Sequence, residues 1–145
     1  MVYAKTRKIK TADAAYIAGL IDGEGTITLS REHIGENRRL AVSISNTELG
    51  ILRFVAKATG VGTITNKRAY SSKHTPSYVY KVTNRQALAL LKQIVTHMQS
   101  YKRARAKLAI REYLFVTPRN GRYTPTQRRA RAKFEKRFLG IKPRG

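Results

Sequence analysis

One pattern is written twice in this chain, and the repetition restricts the folds open to it. Gly25-Thr-Ile-Thr28 returns as Gly62-Thr-Ile-Thr65, and Val42-Ser-Ile-Ser-Asn46 is echoed by Tyr80-Lys-Val-Thr-Asn84. In each copy polar and apolar residues alternate, as in a strand with one wet face, and the period then changes to helical. The first copy predicts a hairpin of Thr26–His33 and Arg39–Ser45 around a turn at Ile34–Asn37. A helix over Thr47–Thr59 follows, with Leu49, Leu52, Val55 and Ala56 inward and Gly60 closing it. The second copy leads into a helix from about Arg85 to His97, with Leu88, Leu91, Ile94 and Val95 inward. A further helix precedes both copies, so the predicted order is αββαββα. That is an α+β domain: a four-stranded antiparallel saddle sheet with helices on one face.

The last third reads as helix and charge. Ser100–Val116 forms one predicted helix with Tyr101, Leu108 and Leu114 inward, ended by the turn Thr117–Gly121. Thr124-Pro125 then supplies N-cap and first-turn signals for a basic C-terminal helix with Ala130, Phe134 and Phe138 as its apolar stripe and Gly140 at its end. At 145 residues the chain suits one domain, with a core over about residues 10–116 and a basic extension over 117–145.

Alternation leaves one sheet face open. Thr26, Thr28, Ser30 and Glu32 fall on it from the first strand, Arg39, Ala41 and Ser43 from the second. Thr63, Thr65 and Lys67 come from the third, and Ser77, Val79 and Lys81 from the fourth. Hydroxyls mixed with cations suit the major groove of double-stranded DNA, where they can meet base edges, although an ordinary solvated face has the same pattern. Net charge favours DNA: 30 Lys and Arg face 8 Asp and Glu, for +22, and half of those cations lie in residues 101–145. Such a surface calls for a polyanion. No run approaches the ~18–20 apolar residues of a membrane span, and the basic N-terminal arm lacks an apolar run long enough for a signal peptide, so a soluble protein is expected. Zero cysteines exclude disulfides, thiolate metal sites and a cysteine nucleophile. Their absence fits a reducing compartment such as an organelle matrix or stroma, or a bacterial or archaeal cytoplasm. His33, His74 and His97 have no metal-ligand spacing and read as surface or groove histidines.

Two of the eight acids stand in Ala15-Tyr-Ile-Ala-Gly-Leu-Ile-Asp-Gly-Glu-Gly25. Ile17, Leu20 and Ile21 recur at helical spacing, Thr11 or Asp13 can act as N-cap, and Gly23 and Gly25 stop the helix. Glu24 is thereby set at a helix C-terminus, where unpaired carbonyls disfavour another anion. A bound cation relieves the clash, and carboxylate plus carbonyl oxygens suit Mg2+, with Mn2+ or Ca2+ as substitutes in binding. Ala15, Gly19 and Gly23 recur every four residues with Ala18 beside them, so one helix face carries almost no side chain. Either an identical helix from a second subunit or the domain's own elements can approach it closely. A homodimer, with an interface of Ala15, Ala18, Gly19 and Asp22, would also bring two copies of Glu24 together.

The stretch Ile17-Ala-Gly-Leu-Ile-Asp-Gly-Glu-Gly25 resembles the signature of the LAGLIDADG homing endonucleases, and the αββαββα order resembles their fold. One motif in a short chain is similar to the homodimeric subclass. The resemblance implies a metal-dependent nuclease that cuts both strands of a long, near-palindromic DNA site and leaves 3′ extensions. It further implies that Glu24 is the metal-binding catalytic acid and that Gly23 offers its carbonyl to the same ion. Asn46 would order water beside the metal, or else cap the next helix, and Lys102 would lie near the scissile phosphate. Asp22 matches an acid of structural role. Two alternative readings stand beside it: an RNA maturase acting on intron RNA, as some relatives are, and a DNA-binding regulator that keeps the fold but does not cleave.

Overall fold

Helix α1 (Thr11–Glu24) passes into strand β1 (Gly25–Ser30) without an intervening loop. Glycine makes this turn possible, because a Cβ on Gly25 would stand 2.7 Å from Ile21 Cα. A computed structural model describes residues 4–67 and 75–145 of the chain. After β1 come β2 (Arg39–Asn46), α2 (Leu49–Thr59), β3 (Thr63–Lys67), β4 (Ser77–Thr83) and α3 (Asn84–Ile94). A single 3-10 turn at Val95–His97 leads to α4 (Lys102–Glu112), and α5 (Pro125–Leu139) ends the fold. The order αββαββα holds, followed by two more helices.

All four strands pair antiparallel in the order β1-β2-β4-β3. Ile27 and Leu29 from β1, Leu40, Val42 and Ile44 from β2, and Tyr80 and Val82 from β4 are buried beneath the helices. They meet Ile17 and Ile21 of α1, Leu52 and Val55 of α2, and Leu88, Leu91 and Ile94 of α3. Period-two alternation is thus what separates the apolar face from the open one. Gly60 closes α2 in the left-handed conformation, φ 70°, as its position predicts.

Several boundaries differ from the sequence reading. Helix α1 starts with Lys10 as its N-cap and no side-chain cap bond, so neither Thr11 nor Asp13 serves there. Strand β1 stops at Ser30, which leaves Glu32 and His33 exposed in the hairpin turn. Helix α4 ends at Glu112, and the following turn rotates Tyr113 and Val116 inward while Leu114 faces solvent at 42% exposure. The Tyr113 hydroxyl rewards that turn: it donates to Asn84 Oδ1 at 2.8 Å and accepts the Leu40 amide at 3.2 Å. His74 lies outside the described residues.

In α5 the buried stripe is Arg131, Phe134 and Phe138, whereas Ala130 is exposed. A capping box starts this helix: Thr124 Oγ1 accepts the Gln127 amide at 3.1 Å, and Gln127 Oε1 accepts the Thr124 amide at 2.8 Å. Arg131 is only 3% exposed yet fully engaged. Its guanidinium donates to the Val116 carbonyl at 3.0 Å, Thr117 Oγ1 at 2.5 Å, the Arg38 carbonyl and Glu135 Oε2 at 3.0 Å. It also stacks on Tyr113 and Phe134. Arg131 therefore joins α5 to β2 and to the loop after α4. Replacing it, Arg131→Met, strands those acceptors without donors and is expected to cost about 2 kcal/mol or more, read as a lower urea midpoint. An unchanged midpoint would show that α5 docks without it.

Candidate active site and nucleic-acid interface

The end of α1 should repel an acid, since the carbonyls beyond Ile21, whose oxygen accepts the Gly25 amide, have no intrahelical amides to accept. The chain supplies its own cation there. Lys102 Nζ donates to the Ile21 carbonyl at 2.9 Å and the Asp22 carbonyl at 3.0 Å. Its side chain is buried, which lowers the ammonium pKa, while the Asp22 charge acts in the opposite sense. Part of the clash that suggested a bound cation is thus met internally. The Lys102 ammonium is thereby held at the end of α1, on the Asp22 carbonyl two residues before Glu24.

Asp22 secures the same junction. Its carboxylate accepts the amides of Gln99 at 2.7 Å and Ser100 at 3.1 Å, and the Ser100 hydroxyl at 2.5 Å. Burial works against its ionisation, but the Ser100 hydroxyl, the two amides and the Lys102 charge outweigh burial and hold the carboxyl below its ordinary value. Asp22 therefore turns toward its own subunit. No sequence signal marked Ser100, which is separated from Asp22 by 78 positions. Arg105, another cation near Lys102, is occupied elsewhere: it donates to the Ile27 carbonyl at 2.8 Å and the Ile141 carbonyl at 3.0 Å.

Glu24 is left facing solvent. Asn46 Nδ2 donates to Glu24 Oε2 at 2.5 Å, and Asn46 Oδ1 accepts the Glu48 amide at 2.7 Å. Asn46 thereby shapes the turn into α2 and bonds to the acid across from it. Glu48, not Asn46, occupies the N-cap position of α2. With Ile21 and Asp22 taken up by Lys102, the Gly23 carbonyl is the next end carbonyl of α1, in an exposed position beside Glu24. One carboxylate and one carbonyl fit a hard divalent ion that keeps water and a phosphate oxygen as its other ligands. Among the described residues no group of three or more His, Cys, Asp or Glu comes together.

Ala15, Gly19 and Gly23 lie exposed along α1, next to Tyr16 at 50% exposure. A Cβ added to Gly19 or Gly23 would meet nothing within 4 Å. Close packing inside the subunit accordingly does not account for these glycines. Ala18 was expected on this face but is fully buried in the core beside Ile17 and Ile21. Four-residue spacing places Ala15, Gly19 and Gly23 on one line, and Ala18, one residue before Gly19, is turned inward by about 100°.

The register places the predicted open-face residues in rows. Thr63, Lys81, Ser43 and Thr26 run across all four strands, Thr65 and Val79 extend to Ser45, and Lys67 faces Ser77. Ser30 pairs with Arg39, and Thr28 with Ala41, which in turn faces Thr83. Ala41 departs from expectation in being buried, because its methyl is shorter than the flanking Thr28 and Thr83 side chains. Ser45 and Thr83 join the face; the same alternation finds them once β2 and β4 are taken to their ends. No helix among the described residues is long and apolar enough to cross a membrane.

The family described as LAGLIDADG-like domain matches residues 11–95, which carry α1, the whole sheet, α2 and α3. The chain belongs to this family. The LAGLIDADG-like fold also appears in solved structures. One is the homing endonuclease I-CvuI in complex with its target, at 19% identity over 93% of this chain and 85% of that chain, TM-score 0.75. Another is an archaeal intron-encoded homing endonuclease complexed with DNA, at 17% identity over 92% and 86%, TM-score 0.60. The meganuclease I-SmaMI bound to uncleavable DNA gives 15% identity and TM-score 0.65, with 89% of this chain but 46% of that one covered. Among curated proteins no match is found. At these identities the likeness is one of fold, and this LAGLIDADG-like chain carries the Ile17–Gly25 signature once.

The depressed Asp22 carboxyl has a consequence for stability. Its contribution is fully present above the unfolded pKa of about 3.9 and is lost as pH falls through the lower folded value. Asp22→Asn should therefore have a lower denaturation midpoint than the parent at pH 7, and the gap should close below the folded pKa. A gap that stays constant down to pH 2 would contradict this account of the junction.

Proposed function

We propose that the protein is a homing endonuclease that cuts both strands of a long, near-palindromic DNA site as a homodimer. One observation carries the reading: the solvent-facing Glu24 carboxylate ends an exposed glycine-rich helix face and borders the open hydroxyl-bearing sheet. A glycine inside a helix costs roughly 0.5–1 kcal/mol relative to alanine, so two that relieve no contact in their own subunit point to a partner. A twofold pairing of α1 along Ala15, Gly19 and Gly23 would set the two Glu24 carboxylates side by side and extend the two sheets into one concave surface.

Each residue then has a chemical task. Glu24 and the Gly23 carbonyl would hold the divalent ion, Mg2+ by the hardness of the donors. That ion, when bound, supplies an activated water and charge stabilisation at the phosphate oxygens. Asn46 fixes the exposed Glu24 carboxylate through its amide. Lys102 keeps the helix end from repelling Glu24 and, with it, any approaching phosphate. Thr26, Thr28, Ser30, Ser43, Thr63, Thr65 and Ser77 would present hydroxyls to base edges, with Arg39, Lys67 and Lys81 as cations among them and Val79 as an apolar contact. Glu32, at the hairpin turn, would accept from a cytosine amino group.

Two experiments test the reading. Glu24→Gln should lower cleavage of a randomised duplex library with Mg2+ by roughly a hundredfold or more while leaving duplex binding intact. A parent protein that cuts no member of such a library would overturn the nuclease assignment. Gly19→Ala should raise the melting temperature of the separated subunit, yet shift sedimentation-equilibrium mass toward the monomer and reduce double-strand cuts. A parent that sediments as a monomer with and without DNA would overturn the dimer.

A further inference from the structure

The sheet has a second end, farthest from Glu24, and a cleft of about 1000 Å³ opens there. Its walls come from four separate parts of the chain. The N-terminal arm gives Lys5, the strand ends give Arg39 and Thr83, the start of α3 gives Arg85, and the loop after α4 gives Thr117 and Arg119. Arg39 and Thr83 belong to the open sheet face by register, so the cleft meets that face at the strand ends. Four cations line it and no carboxylate does. Arg39 shares its charge with the exposed Glu32 at 3.5 Å, and Arg85 donates to the Thr117 carbonyl at 3.5 Å. Lys5 and Arg119 are exposed and form no ion pair among the described residues. Drawing like charges together from such distant positions is unfavourable unless an anion shares them.

The spacing along β2 relates the cleft to Glu24. Strand β2 runs from Arg39 at the cleft to Asn46 beside Glu24, seven residue steps. At ~3.4 Å per step the cleft stands roughly 24 Å from the Glu24 end, or about seven base pairs of duplex at ~3.4 Å each. A duplex lying along the open face would bring its sugar–phosphate strand to the cleft at that point. We infer that the cleft is a backbone clamp, which holds phosphates about seven base pairs outward from the cut step and reads no base. This rests on the proposed reading of duplex DNA as the partner. The clamp would fix how the outer part of each half-site sits, while the hydroxyl rows read the bases between it and the cut.

Salt dependence tests the clamp, because each neutralised phosphate contributes about 0.9 to the slope of log K against log salt. The full chain carrying Glu24→Gln is titrated with a mixed-sequence 24-base-pair duplex, with and without Arg85→Gln and Arg119→Gln together. The expected result is a slope smaller by about 2 for the cleft variant. Arg85→Lys with Arg119→Lys should keep the parent slope, and a matched melting curve shows that the variants fold. Lys57→Gln with Lys92→Gln removes the same charge from exposed positions on α2 and α3, which cover the opposite sheet face, and should leave the slope within about 0.5. If the cleft variant keeps the parent slope, or loses no more than the Lys57 and Lys92 pair, the clamp is wrong. If the parent binds no duplex at all, the DNA reading and the clamp fall together, an outcome distinct from a steep parent slope that the variant matches.

Discussion

A single ammonium group makes the rest of this site possible. Helix α1 ends in carbonyls that would repel Glu24, and Lys102 enters from α4 to take two of them. The Asp22 carboxylate, bonded to Gln99 and Ser100, fixes the turn from which Lys102 projects. Remove the ammonium and the last turn of α1 carries its partial negative charge, Asp22 and Glu24 with nothing to balance them. The Lys102–Asp22 junction thus stabilises the fold and permits an exposed acid at the one place where the open face, the small-residue helix and the start of β1 meet.

The glycines of the signature divide by the same geometry. Gly25 faces inward, where any side chain would strike Ile21 and prevent β1 from following α1 directly. Gly19 and Gly23 face outward, where a side chain would strike nothing. One requirement is met within the subunit and the other has no cause there, which is what the proposed pairing of two α1 helices would supply. Helix stability alone would favour alanine at both outward positions.

How far the sequence reveals this depends on the range of the interaction. Strand faces were legible because side chains alternate with a period of two, and a register that keeps the apolar set inward also fixes Thr26, Ser43, Lys81 and Thr63 in one row. Glycine at the end of α2 was legible because the left-handed cap is local. Lys102 under α1 was not, since its partners lie about 80 positions away and neither spacing nor composition distinguishes it from its basic neighbours. Leu114 and Ala130 were misplaced for a related reason. A turn after Glu112 and a buried arginine in α5 broke the simple apolar stripe, and both depend on Tyr113 and Arg131 finding distant acceptors. For the candidate site, Glu24 and the open face could be read from local pattern, whereas the group that supports Glu24 could not.

Charge bookkeeping explains why the surface is so strongly positive. Half of the eight carboxylates are tied to the chain by such contacts: Asp22 holds Ser100, Glu32 meets Arg39, Glu112 meets Arg111 and Arg137, and Glu135 meets Arg131 and Arg38. The ion pairs fasten the hairpin turn to β2 and α5 to α4 and Arg38, and many of the remaining cations of a chain with charge +22 are exposed. Self-repulsion of that size destabilises a free protein, and a polyanion laid along the sheet would relieve it at many points at once. Glu24 has the neutral Asn46 as its partner and forms no ion pair among the described residues. An uncompensated carboxylate in a strongly positive field is well placed to hold a divalent ion against a phosphate, because the surrounding cations attract the nucleic acid that the carboxylate alone would repel.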